Sequence, residues 1–176
     1  VMVDEHEFFR QATLRISSSL DIQAAMARCM DYLKGYMPVS GMLLGLYDPE
    51  LNLGRLLASV WTSRLPKPPE TVSFPREYWG WMKKQWGKSP EVRIMNDFEA
   101  EEPIRRQLFA DLWPREASQL IVDIELDSER IGFLIVFAEG LNRYRQSHAD
   151  LIALLHDPFA IAFSNNLKHM EVLRLR

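Results

Sequence analysis

The segment from Gln119 to Gly140, QLIVDIELDSERIGFLIVFAEG, decides the fold. In its first half Leu120, Val122, Ile124 and Leu126 share one side of an extended chain, with Asp123 and Glu125 on the other, because successive strand side chains point to opposite faces. Its second half, IGFLIVFA, is apolar on both sides. A strand of that kind belongs in the middle of a sheet covered on both faces. The segment reads as a hairpin inside a layered α+β fold, with Asp123 and Glu125 facing solvent on an edge strand or, as the alternative, offering a pocket its polar handle.

The elements around this hairpin follow from periodicity and breakers. Phe8, Ala12, Ile16 and Leu20 repeat every four residues as one face of an amphipathic helix. Ser17 to Ser19 interrupt it, and Asp21 is placed to cap a second helix. That helix carries Ile22, Ala25, Met26, Cys29 and Leu33 on its apolar stripe and ends at Gly35 and Pro38. GMLLGLY and GRLLASVWT, separated by Asp48-Pro49-Glu50 and Asn52, read as a second hairpin. A proline-rich crossing, RLPKPPETVSFP, leads to a helix from Pro75 to near Gly87, then a short strand EVRIM and a small helix starting near Pro103. The order is helix, helix, strand, strand, helix, strand, helix, strand, strand, helix, with no internal repeat.

The totals restrict the function classes. A chain of 176 residues with 47% hydrophobic content is enough for one domain with a substantial core. The net charge of -3 gives no global attraction to phosphate, so direct nucleic-acid binding is not expected. A single cysteine, Cys29, excludes an internal disulfide framework, and no apolar run reaches the length of a membrane span. The expectation is a cytoplasmic domain without membrane contact.

The element order and three stretches resemble the GAF domain, a small-molecule sensor module of signalling proteins. The stretches are FFRQATLRISSSLDIQAAMARCMDYL, DSERIGFLIVFAEGLNRYRQSHADLIALL and DPFAIAFSNNLKHMEVLRL. The first and last are similar to the N-terminal sensory domains of bacterial sigma-54-dependent transcription activators. The resemblance implies a central antiparallel sheet of five to six strands, terminal helices bundled on one face, and small helices and loops closing a pocket on the other. It divides the chain into N-terminal helices (1–37), sheet and pocket helices (39–140) and a C-terminal helix (144–176). It also implies a parent protein with an AAA+ ATPase and a helix-turn-helix domain as partners; the chain itself has no GxxxxGK[ST] phosphate loop. A PAS domain, the structural rival, would not normally open with two long amphipathic helices.

Trp79, Trp81, Trp86 and Trp113 fall in or near the two middle helices, and Trp61 ends the strand feeding them. With Tyr78, Met82, Phe98 and Leu108 they are expected to wall an apolar ligand pocket, with Asp123 the candidate polar group. Taken singly, each is explained as well by packing of helices on a sheet. No catalytic residue, cofactor or metal is expected. His148 and His156, eight residues apart, would be roughly 12 Å apart along a helix, too far for one ion. Cys29 sits on an apolar helical stripe, where a thiol behaves as a small hydrophobe. The GAF proteins that reduce methionine sulfoxide use several cysteines, and bilin-binding relatives use one near the pocket. NRYRQSHAD echoes the cyclic-nucleotide signature only in Asn142, Tyr144 and Asp150. The expected function is therefore recognition of an unknown small molecule; the alternative is a ligand-free GAF-fold module for dimerisation.

LLHDPFAIAFSNNLKHMEVLRLR places Pro158 inside a helical pattern. Asp157-Pro158 suits the start of a fresh helix, but the stripe Leu151, Leu155, Phe159, Ala162 keeps helical spacing through the proline. The favoured reading is one kinked helix, about 45 Å long from Gln146 at 1.5 Å per residue. Phe163, Leu167, Met170 and Leu173 continue an apolar seam. With Phe8 of the first helix, they are the expected homodimer or signalling contacts.

Overall fold

The computed structural model describes residues 2–85, 92–110, 113–126 and 131–175, apart from the side chains at 79, 83, 85 and 108. Two helices open the chain, α1 (Glu5–Ile16) and α2 (Ile22–Leu33). Each has an aspartate at its start: Asp4 accepts from the Glu7 amide and Asp21 from the Gln23 amide, occupying donors that a helix cannot satisfy itself. Strands β1 (Gly41–Asp48), β2 (Leu53–Trp61) and β3 (Thr71–Ser73) follow, then α3 (Arg76–Gln85), β4 (Val92–Met95) and a single 3-10 turn, Phe98–Ala100. Next come α4 (Pro103–Phe109), β5 (Ala117–Glu125), β6 (Ile131–Glu139), α5 (Gln146–Ala153) and α6 (His156–Leu175).

The six strands form one antiparallel sheet in the order β3-β2-β1-β6-β5-β4. β6 lies between β1 and β5, and residues 131–138 are all buried, as its two-sided apolar sequence requires. Two details depart from the sequence reading. The proline-rich crossing contributes an edge strand, β3, a proline-free stretch paired through only three residues with Leu53–Arg55. β5, by contrast, is not an edge, since β4 pairs alongside it from Val92↔Val122 to Met95↔Gln119.

Alternation along the strands divides the core. Met42, Leu44, Leu120, Val122, Leu134 and Val136 pack against the terminal helices, where they meet Phe8, Met26, Cys29, Leu33, Phe159 and Phe163. Leu43, Tyr47, Ile121, Phe133 and Ile135 face the opposite side, beneath Tyr78, Met82 and Phe98.

Asn96, just past β4, clasps the corner after β6. Its Nδ2 donates to the Tyr144 carbonyl (2.8 Å) and its Oδ1 accepts from the Tyr144 amide (3.0 Å). The Tyr144 hydroxyl donates to the Pro38 carbonyl at 2.7 Å. This ties the end of the helical pair to the far end of the sheet.

The C-terminal rod is broken rather than only kinked. α5 ends at Ala153, the Leu154 and Leu155 amides donate three residues back to Leu151 and Ile152, and α6 restarts at His156. Pro158 sits in the first turn of α6, where its missing amide breaks no ladder bond. The apolar stripe nevertheless stays inward across the break: Leu151, Leu155, Phe159 and Phe163 are all buried. Two expected intermolecular contacts, Phe8 and Phe163, are thus interior residues of this chain. Phe8 stacks with Tyr32 and meets Tyr36 edge-on. Leu167 packs partly against the same core, whereas Met170 and Leu173 are half exposed.

Candidate functional site

On the side of the sheet away from the terminal helices, the chain leaves a cavity of about 70 Å³. Its floor is the outward face of four strands: Leu43 and Tyr47 of β1, Leu56 of β2, Ile121 of β5, and Phe133 and Ile135 of β6. Tyr78 of α3 and Phe109 at the end of α4 roof it, with Phe74 and Trp113 from the connections. Pro68, Pro69 and Glu70 of the proline-rich crossing form a further wall.

The walls are a continuous series of rings. Phe133 and Tyr47 have centroids 4.8 Å apart, Phe74 and Tyr78 5.0 Å, Tyr78 and Phe109 5.5 Å, and Phe109 and Trp113 5.2 Å. Contacts at these separations hold flat surfaces in fixed relation. Glycine makes one of them possible: the Phe133 ring lies directly on the backbone of its cross-strand partner Gly45.

Set into this apolar lining are two guanidinium groups. Arg93 of β4 makes no hydrogen bond or ion pair with any other described residue. Arg105 of α4 lies over the Trp81 ring, 4.9 Å from its centroid, and pairs with Glu101 at 3.7 Å. The Nε of Arg105 and the Nε1 of Trp113 are shut off from solvent and have no acceptor among the described residues.

Asp123 shares the cavity face of β5 with Ile121, and its Oδ1 is likewise shut off without a partner among the described residues. The expectation that it sits exposed on an edge strand is corrected: β4 pairs outside it, and the sheet face it occupies is covered. Desolvation raises its pKa, with the Arg93 charge opposing. Desolvation also pushes the Tyr47 and Tyr78 hydroxyls up, so both stay neutral. Glu125, one pair further along, is exposed.

The remaining candidates divide by position. Tyr78 and Trp113 line the cavity. Met82 and Phe98 are buried in the same apolar cluster without lining it. Trp61 lies apart, its ring 4.5 Å from Phe137 and its indole N–H donating to the Leu65 carbonyl. Trp86 lies outside the described residues, as do the side chains of Trp79 and Leu108. Sequence reasoning missed Arg93, Arg105, Tyr47, Phe74, Phe109 and Phe133. The strand residues among them carried a signal: they share the parity of Ile121 and Ile135, opposite to the helix-facing set.

Cys29 is on the other side of the sheet, fully buried among α2 neighbours, and desolvation pushes its thiol up to about 12. Among the described residues no group of histidine, cysteine or acidic side chains is arranged to hold a metal ion, and no helix is long and apolar enough to cross a membrane. A wider groove of about 290 Å³ lies on the helical layer between Ile16–Ile22 and Pro158–Asn166, and no charged side chain lines it.

No family profile matches the chain, and no curated protein matches it by sequence. Solved structures do. The phycoerythrobilin-bound GAF domain of a cyanobacterial phytochrome superposes with a TM-score of 0.65 at 14% identity, covering 96% of this chain and 100% of that one. The GAF domain of a phosphoenolpyruvate-protein phosphotransferase from Coxiella burnetii gives 0.61 at 15% identity, covering 98% of each. Free methionine-R-sulfoxide reductase from Neisseria meningitidis, in complex with its substrate, gives 0.66 at 16% identity over 96% of each. The fold of this chain is that of GAF domains.

Proposed function

We propose that this chain is a sensory GAF domain that binds a small cytoplasmic molecule in the aromatic cavity and reports occupancy through α6. One arrangement carries the reading. Phe133 lines the cavity on one face of β6, while its neighbour Gly132 seats the ring of Phe163 on the other, 2.9 Å from where a Cβ would stand. A ligand that moves the Phe133 ring therefore acts on the strand on which α6 rests. Such a ligand shifts α6 only by binding its two poses with different affinity.

Similarity to a reductase of the same fold raises catalysis as a rival reading. The placement of the one thiol supports binding instead: Cys29 lies among the helix-facing core residues, across the sheet from the cavity, and its raised pKa keeps it from the reactive thiolate form.

The similarity of FRQATLRISSSL and DPFAIAFSNNLKHMEVLRL to sensory domains of sigma-54-dependent activators supports a parent transcription regulator with AAA+ and helix-turn-helix domains. In that setting, α6 runs toward the output domains. Its last turns expose Met170, Val172, Leu173 and Leu175, apolar surface suited to pairing with a second copy, so the working unit is a homodimer through these turns.

Tryptophan fluorescence tests the proposal, because Trp113 lines the cavity. Saturable changes with one compound from a metabolite library are expected. Silence across the library, together with concentration-dependent dimerisation, would leave the alternative of a ligand-free dimerisation module.

A further inference from the structure

The cavity constrains the chemistry of its occupant. One water needs about 10–15 Å³ of such space, so about 70 Å³ admits a few waters or one compact molecule. Nucleotides and tetrapyrroles are too large for it in this conformation. The ring-lined walls favour a flat apolar body.

A purely apolar guest would leave buried polar groups unmet, which is costly. Those groups are mainly donors. Arg93 makes no hydrogen bond or close ion pair among the described residues, although its charge acts on Asp123 and Glu101, and the Arg105 Nε and Trp113 Nε1 lack acceptors there. Glu101 already faces Arg105, and Glu70 stands exposed at the wall. The unmet acceptors on this face of β5 are the Gln119 Oε1 and the Asp123 Oδ1, the latter in a carboxyl whose pKa burial raises. A guanidinium fork matches a carboxylate in two parallel hydrogen bonds.

Resting on the reading of this cavity as a ligand site, we infer that its ligand is a small planar aromatic acid, with its ring against Phe133 and Phe109 and its carboxylate on Arg93. The class combines the three properties the site selects: flatness, small size and one negative charge.

Calorimetric titration of the purified chain with benzoate, benzamide, benzylamine and acetate tests this. Benzoate is expected to bind saturably, benzamide and acetate at least tenfold more weakly, and benzylamine not at all. Arg93→Gln, shown folded by circular dichroism, should erase the preference for benzoate over benzamide; Arg93→Lys should keep part of it. If Arg93→Gln does not fold, the four-ligand series on the unaltered chain decides the matter. Benzamide or benzylamine binding as tightly as benzoate would overturn the inference and leave the ligand site standing. A failure of benzoate, while another compound from the fluorescence screen binds, would do the same. Silence from all four compounds and from the screen would overturn the ligand site as well.

Discussion

Phe133, part of the cavity floor, rests its ring on the bare backbone of Gly45, its partner across the β1–β6 pair. A methyl group at Gly45 would overlap that ring. The ring has somewhere to go, because the cavity lies beside it. Gly45→Ala should therefore destabilise by about 1–3 kcal/mol, as overpacking does, and abolish ligand-induced fluorescence change by swinging Phe133 inward. At Gly132 the obstacle includes backbone: a Cβ would stand 3.0 Å from the Gly45 carbonyl oxygen. Gly132→Ala should lose more stability than Gly45→Ala in urea titrations.

Asp123 gives a pH-dependent prediction. Its folded-state pKa is raised by desolvation, the facing groups being Arg93 on β4, Tyr47 on β1 and Tyr78 on α3. An acid that holds its proton more tightly when folded loses stability as pH rises from its ordinary value through the raised one. Above that window the ionised form is a constant burden. Asp123→Asn should accordingly be more stable than the unaltered chain at pH 7, with the difference vanishing below about pH 3. Thermal melts across that range measure it.

The Asn96 clasp is a pair of partly buried side-chain hydrogen bonds to the backbone of Tyr144. Asn96→Ala leaves the Tyr144 amide and carbonyl without their side-chain partners, and a loss of about 1–3 kcal/mol is expected. Hydrogen exchange at the Tyr144 amide should speed up well beyond the change in amides of β6.

Along α6 the effects should change character within a few turns. Phe163 is 1% exposed, so Phe163→Ala should cost about 3–5 kcal/mol. Leu173 is 55% exposed, and Leu173→Ser should alter the stability of the single chain by no more than about 0.5 kcal/mol. If the last turns pair two copies, Leu173→Ser should instead weaken self-association in analytical ultracentrifugation. A Leu173→Ser variant that sediments like the unaltered chain at every concentration would remove that role.

The layered architecture is legible in the sequence because strand alternation states which side is covered: residues 131–138 could only be central, and they are. Site residues are legible only where they coincide with conspicuous residue types. Tryptophan content points to Trp113, which lines the cavity, but also to Trp61, whose indole packs on Phe137 instead. Arg93 is invisible as a lone charge in a short strand, and Asp123 reads as a surface residue because the pairing of β4 outside it is a tertiary fact. The break before α6 is hidden by its own stripe: the turn at Leu154 and Leu155 keeps the buried positions in phase, so spacing alone does not reveal the interruption.

The sheet ends on both sides in very brief strands, three residues in β3 and four in β4. Margins this short offer little template for another chain to zip onto. Proteins built on this module are thus steered away from fibrous, strand-by-strand stacking, and any higher assembly falls to their helical surfaces.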